Sequence, residues 1–117
     1  MDLLRKDEAA GELLQELDLD DLRIPAVAVM ELWEGAICSK TTSLEKIKVD
    51  ELLEAFTIYN LDGAAAKQAA EINNALRHAP LETEDVMIAA IALARGEKLV
   101  TSDAHFARVP GLRVLKY

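Results

Sequence analysis

Asp85-Val-Met-Ile-Ala-Ala-Ile-Ala-Leu-Ala-Arg-Gly96, followed two residues later by Leu99-Val-Thr-Ser-Asp-Ala-His-Phe106, is the stretch that decides the fold. From Val86 to Ala94 no polar residue interrupts the run. A helix that is apolar nearly all round has no solvated face and is buried. Thr83 precedes it and Gly96 supplies a C-terminal cap. Lys98 to Thr101 then reads as a short strand, Asp103 to Arg108 as a turn or single helical turn, and Leu112 to Leu115 as a final strand. Outward from there the same alternation holds. Asp62 is placed to cap an Ala-rich helix reaching about Arg77, and Phe56 to Tyr59 is a β-rich run before it. Leu44 to Ala55 reads as a helix capped by Ser43 or Thr42, with Glu45 and Glu51 spaced for surface pairing with Lys48 and Lys46. Leu22 to Pro25 makes a short strand, and Val27, Met30, Leu32, Trp33 and Ala36 fit a helix closing near Ser39. Residues 2 to 17 have the leucine spacing of an amphipathic helix, ended by Asp18 to Asp21. Short strands separated by helices mark βαβ units, so the class is α/β, with four short strands in a mostly parallel sheet flanked by helices.

Length and composition set the outer bounds. The 117 residues suit a single domain, residues 1–117, and 51% hydrophobic with 29% charged residues exclude a disordered chain. The longest apolar run is about half the length of a transmembrane helix, so no membrane partner is expected. One cysteine, Cys38, allows no internal disulfide, and no leader pattern opens the chain, which together point to a reducing, cytoplasmic location. Aromatic residues make up only 4%, leaving few groups to stack on bases. A net charge of -8 opposes bulk attraction to nucleic acid. Residues 95 to 117 are locally basic through Arg95, Lys98, Arg108, Arg113 and Lys116; these read as a solvated face, with RNA steering as the alternative.

In an open α/β sheet, ligands bind beyond the carboxyl ends of the strands. Three acids qualify: Glu31 in the turns after the first strand, Asp85 at the head of the buried helix, and Asp103 just after Lys98 to Thr101. Singly, Glu31 could be a solvated helix position, Asp85 a helix cap and Asp103 the cap of the turn before Phe106. Brought into one cleft, three carboxylates repel unless a cation neutralises them. Oxygen donors with open water positions suit Mg²⁺ or Mn²⁺. Such an ion would also supply the positive charge this chain needs to approach a phosphodiester. Other constellations are weaker. His78 and His105 stand far apart in sequence and remote from Cys38, which is no zinc spacing, and each reads as a surface or hydrogen-bonded histidine. The five glycines never cluster into a phosphate loop, and no serine has a nucleophile-elbow context. Trp33 and Phe106 read as core or dimer-interface residues.

These residues resemble the PIN-domain ribonucleases, and within them the VapC toxins of toxin–antitoxin pairs. Pro25-Ala-Val-Ala-Val-Met-Glu31-Leu-Trp-Glu-Gly35-Ala is similar to the family segment in which an acid precedes Leu and a nearby Gly-Ala. Asp85 to Gly96 is similar to the family's acid followed by an Ile-Ala-Ala helix, and Leu99 to Phe106 to its Thr-x-Asp-x-x-Phe block. The resemblance implies a three-layer PIN-like fold and Mg²⁺-dependent hydrolysis of RNA. It implies metal ligation by Glu31, Asp85 and Asp103, with Thr101 as a supporting polar residue in the catalytic set. It also implies a VapB-type antitoxin partner and a homodimer. Family members open with a hydrophobic strand ending in Asp-Thr or Asp-Ser. Met1-Asp-Leu-Leu-Arg-Lys-Asp looks like the sequence just after it, so the N-terminal central strand and its aspartate are expected to be absent. That departure raises an alternative, a catalytically silent PIN remnant that acts as an antitoxin-binding or dimerisation module. A nucleotide-binding or regulatory α/β domain is a third reading, without a phosphate loop to support it.

Overall fold

The computed structural model describes residues 23–116. The helix read over residues 2 to 17 and the departure at the N-terminus lie outside these. The element order is β1 (Arg23–Pro25), α1 (Ala26–Ile37), α2 (Thr42–Leu53), β2 (Thr57–Tyr59), α3 (Gly63–Ala75), α4 (Thr83–Arg95), β3 (Leu99–Thr101), a 3-10 turn (Ala104–Arg108) and β4 (Val114–Lys116). The class is α/β with short parallel strands and helices packed against them, as the sequence reading holds.

α4 is the centre of the core. Val86, Ile88, Ala89, Ala90, Ile91 and Ala92 are all buried, with Ala89 and Ala90 fully so. Burying one Ile side chain contributes about 1.5–3 kcal/mol. α3 packs against α4 through Ala65 and Ile72, and Leu99, Phe106 and Val109 complete the same cluster. Gly96 ends α4 at φ 65°, where its N–H reaches the Ala92 and Leu93 carbonyls. That left-handed conformation is costly for any residue with a Cβ. Asp62 caps α3: its Oδ1 accepts from the Ala65 N–H at 2.9 Å. The helix stops at Ala75 rather than Arg77.

The start of α2 differs from the expectation. Thr41 is its N-cap and its side chain accepts no capping bond, and Thr42 and Ser43 lie within the first turn. The Thr42 hydroxyl instead donates to the carbonyls of Ser39 at 2.8 Å and Ile37 at 3.2 Å, fixing the corner between α1 and α2. Glu45 and Lys48 do pair, at 3.3 Å, while Lys46 Nζ sits 5.4 Å from the Trp33 ring centroid. α2 has no buried residue.

The strands form two parallel pairs rather than one continuous sheet among the described residues. β1 pairs with β2 in the register Ile24 to Ile58, and β3 with β4 in the register Val100 to Leu115. A three-residue strand offers only a few ladder bonds, so burial holds each pair in place more than its ladder does. Ile24, Leu99 and Thr101 are buried on β1 and β3, whereas β2 and β4 are largely open. The last strand begins two residues later than expected. Gly111 at φ 78° and the Leu112 N–H to Val109 carbonyl bond hold residues 109–112 in a turn.

Candidate functional site

β3 delivers Asp103 to its carboxyl end through Thr101, whose side chain is 1% exposed. The Thr101 Oγ1 accepts from the Asp103 N–H at 3.1 Å, so a residue anchored in the core fixes the backbone of the acid. Asp103 in turn caps the 3-10 turn: its Oδ1 accepts from the His105 N–H at 2.8 Å and lies 3.0 Å from His105 Nδ1. The imidazole is 69% exposed, so this contact orients the carboxylate more than it stabilises the fold.

Asp85 arrives from the opposite direction, in the first turn of α4. The cap position belongs to Glu82, without a side-chain cap bond, so the reading of Asp85 as the helix cap does not hold. Asp85 and Asp103 line one cavity of about 290 Å³ together with Pro80, Leu81, Glu82, His105 and Arg108. Burial pushes the Asp85 carboxyl above its ordinary range, and the negative charges of Asp103, Glu82 and Glu31 push it further the same way. Proximity to the helix N-terminus, which favours a carboxylate, is outweighed.

Glu31, in the second turn of α1, is half-buried and does not line this cavity, although it is close enough to act on Asp85. Two of the three acids read from the sequence therefore share a cavity, and the third is an electrostatic neighbour. Among the described residues no group of three His, Cys, Asp or Glu side chains is close enough to hold a metal ion jointly. A pair of carboxylates is nonetheless a fitting donor set for Mg²⁺ or Mn²⁺, which keep several waters and take one or two carboxylates plus a phosphate oxygen.

Glu82 is a cavity residue the sequence reading passed over, and Arg108 was read only as one of a basic stretch forming a solvated face, with RNA steering as the alternative. The acidic run Glu82-Thr-Glu-Asp85 before a buried helix is the signal for the first, and a place five residues beyond Asp103 on a short helical turn is the signal for the second. Phe106 is core, Trp33 is half-buried, and Cys38 is exposed. No helix among the described residues is long and apolar enough to cross a membrane.

Residues 1–112, nearly the whole chain, match the PIN domain. The chain belongs to the PIN-domain family. Its fold is similar to that in DNA-bound VapBC from Salmonella typhimurium, with TM-score 0.87, 27% identity, and coverage of 98% of this chain and 89% of that one. VapBC2 from Rickettsia felis, bound to a DNA fragment from its promoter, gives 0.85 at 22% identity with the same coverage. FitAcB from Neisseria gonorrhoeae gives 0.83 at 21% identity, covering 97% of this chain and 87% of that one. No curated protein matches the sequence. In this PIN domain the acids meet beside the end of β3 and the head of α4, beyond the carboxyl edge of a strand.

Proposed function

We propose that this PIN domain is a divalent-metal-dependent endoribonuclease, the toxin half of a VapBC-type pair. The observation that carries the reading is the convergence of Asp85 and Asp103 in one cavity, with the Asp85 carboxyl raised by burial and by three neighbouring acids. Family membership and the likeness to VapBC structures support it. Asp85 and Asp103 would hold a Mg²⁺ or Mn²⁺ ion, with Glu31 as the third ligand or as the carboxylate that fixes a metal-bound water. Thr101 positions Asp103 through the bond between its hydroxyl oxygen and the Asp103 N–H. A divalent ion bound there supplies a water of lowered pKa and positive charge beside the phosphate.

A VapB-type antitoxin and a second copy of the chain are the protein partners in this reading. The α1–α2 pair supports it. Met30, Ile37, Leu44 and Ile47 are exposed large apolar side chains on these two helices, and a groove of about 760 Å³ runs between them. Apolar surface of this kind on a soluble domain marks a protein interface. The cytoplasm, where RNA and such partners meet, is the compartment the reading requires.

The test is incubation of the purified chain with structured RNA in Mg²⁺ or EDTA, beside Asp85→Asn. Cleavage by the wild type in Mg²⁺ alone, lost in the variant, is the expected result. Equal cleavage by both chains overturns the assignment.

A further inference from the structure

The cavity that holds Asp85 and Asp103 is not uniformly acidic, because Arg108 lines it too. Arg108 projects from the last position of the 3-10 turn, and its guanidinium donates to the Ala79 carbonyl in the segment that joins α3 to α4. It forms no ion pair with Glu82, Asp85 or Asp103, although all three share the cavity with it. An exposed arginine beside three carboxylates ordinarily closes onto one of them. Here a backbone carbonyl holds the fork, which leaves most of its five N–H donors uncommitted. His105, whose imidazole also lines the cavity, is already engaged with Asp103. Pro80 and Leu81 supply an apolar wall without side-chain donors.

A phosphodiester entering this space meets net negative charge on the side of the acids and needs a fixed positive partner opposite. Guanidinium is that partner by shape as well as charge, since its planar fork matches two phosphate oxygens and it sheds water more readily than an ammonium. We infer that Arg108 binds a non-bridging oxygen of the RNA phosphodiester in the cavity it shares with Asp85 and Asp103. The inference rests on the nuclease reading for its substrate class. Arg108 acts in binding and positioning; the Ala79 carbonyl aims it.

The experiment compares Arg108→Gln, which can still donate to the Ala79 carbonyl but carries no charge, with Arg108→Lys, which keeps the charge. In RNA cleavage with Mg²⁺, Arg108→Gln should raise KM by about ten- to a hundred-fold with a much smaller change in kcat. Arg108→Lys should recover only the part of that loss that belongs to charge, leaving the part that belongs to the fork. Binding of a fluorescent single-stranded RNA is then followed by anisotropy across a salt series, with every chain also carrying Asp85→Asn so that nothing is cut. The slope of log K against log salt should fall by about 0.7 in Arg108→Gln and stay unchanged in Arg108→Lys. An unchanged slope and KM in Arg108→Gln overturns the inference, as does a lowered melting temperature with loss of kcat and an unchanged slope, which is the result for a purely structural tether. Absence of cleavage by the wild type sinks the nuclease reading, and the salt slope still decides Arg108 in that case. Absence of RNA binding by every chain overturns both.

Discussion

Asp85→Asn separates the electrostatics of the cavity from its chemistry, because it can be read before any RNA is added. The carboxyl is raised by burial and by Asp103, Glu82 and Glu31, so the fold holds a proton on Asp85 more tightly than the unfolded chain does. By linkage, the stability this group contributes is fully present below its unfolded pKa and is lost as the pH rises through the higher folded value. At neutral pH the ionised carboxylate therefore opposes folding of the metal-free protein. Asn keeps the shape and removes the charge. Asp85 is only half-buried, so solvent screening keeps this gain small beside the effect of a core substitution. For a domain of this size the expected rise in melting temperature is a few degrees at most. Melting by circular dichroism in EDTA should show the variant above the wild type at neutral pH, with the gap closing on acidification through the carboxylate range. Millimolar Mg²⁺ should then raise the wild type by mass action and leave the variant nearly unmoved, reversing the order. A variant that melts below the wild type in EDTA, or equal Mg²⁺ increments in both chains, would refute this account of the acids.

Thr101→Val keeps the buried shape but leaves the Asp103 N–H without its acceptor, at a cost of about 1–3 kcal/mol; thermal melting should register this, with a parallel fall in RNA cleavage. Asp62→Ala removes the α3 cap and should cost about 1 kcal/mol in urea unfolding, since its 3.5 Å contact with Arg95 joins two half-exposed side chains and adds little. Ile88→Ala, at a position 1% exposed, should cost about 2–5 kcal/mol, and a change near zero would show that α4 is not the core helix. Mg²⁺ in bulk weakens association with RNA by screening, so tighter binding of a non-cleavable RNA analogue by the wild type on adding Mg²⁺, with no such gain in Asp85→Asn, would carry the sign of a site-bound ion; weaker binding by both chains would count against the site.

What was legible in the sequence was whatever local chemistry dictates. An unbroken apolar run ending in Gly96 can only be a buried helix with a left-handed stop, and Asp62 before Gly-Ala-Ala-Ala is a cap that the Ala65 N–H completes. Asp103 was legible for the same reason, as the acid at the end of a strand and the cap of the next turn. The cap of α2 was not, because Thr41, Thr42 and Ser43 all carry hydroxyls and the choice among them turns on where the Ile37 and Ser39 carbonyls lie. The separation of Glu31 from the cavity was equally hidden. Its distance from Asp85 depends on how α1 is set against α4, which is a matter of packing rather than of spacing along the chain. Arg108 was hidden by its exposure, since one basic residue in a basic C-terminal stretch is indistinguishable from its neighbours until Ala79, 29 residues earlier, is brought beside it.

Among the described residues, no lysine or arginine pairs with either acid to relieve their repulsion. Asp85 is carried by a helix whose next residues are buried on nearly every side, so it cannot withdraw without moving the core. Asp103 is pinned at its backbone by a hydroxyl that is itself 1% exposed, and at its carboxylate by the turn it caps. Among the described residues that line the cavity, the one permanent cation, Arg108, is turned aside by the Ala79 carbonyl. A protein selected for stability alone would let Arg108 close onto Asp85 or replace one acid with a neutral residue. Keeping the acids rigid, close and unneutralised is destabilising in the metal-free chain. It becomes favourable only when the charge they lack arrives from outside, because a binding site that is already fixed loses little entropy on taking up its ligand. In the proposed nuclease, the same rigidity would let a divalent ion, and then a phosphate between that ion and Arg108, bind without rearranging the fold.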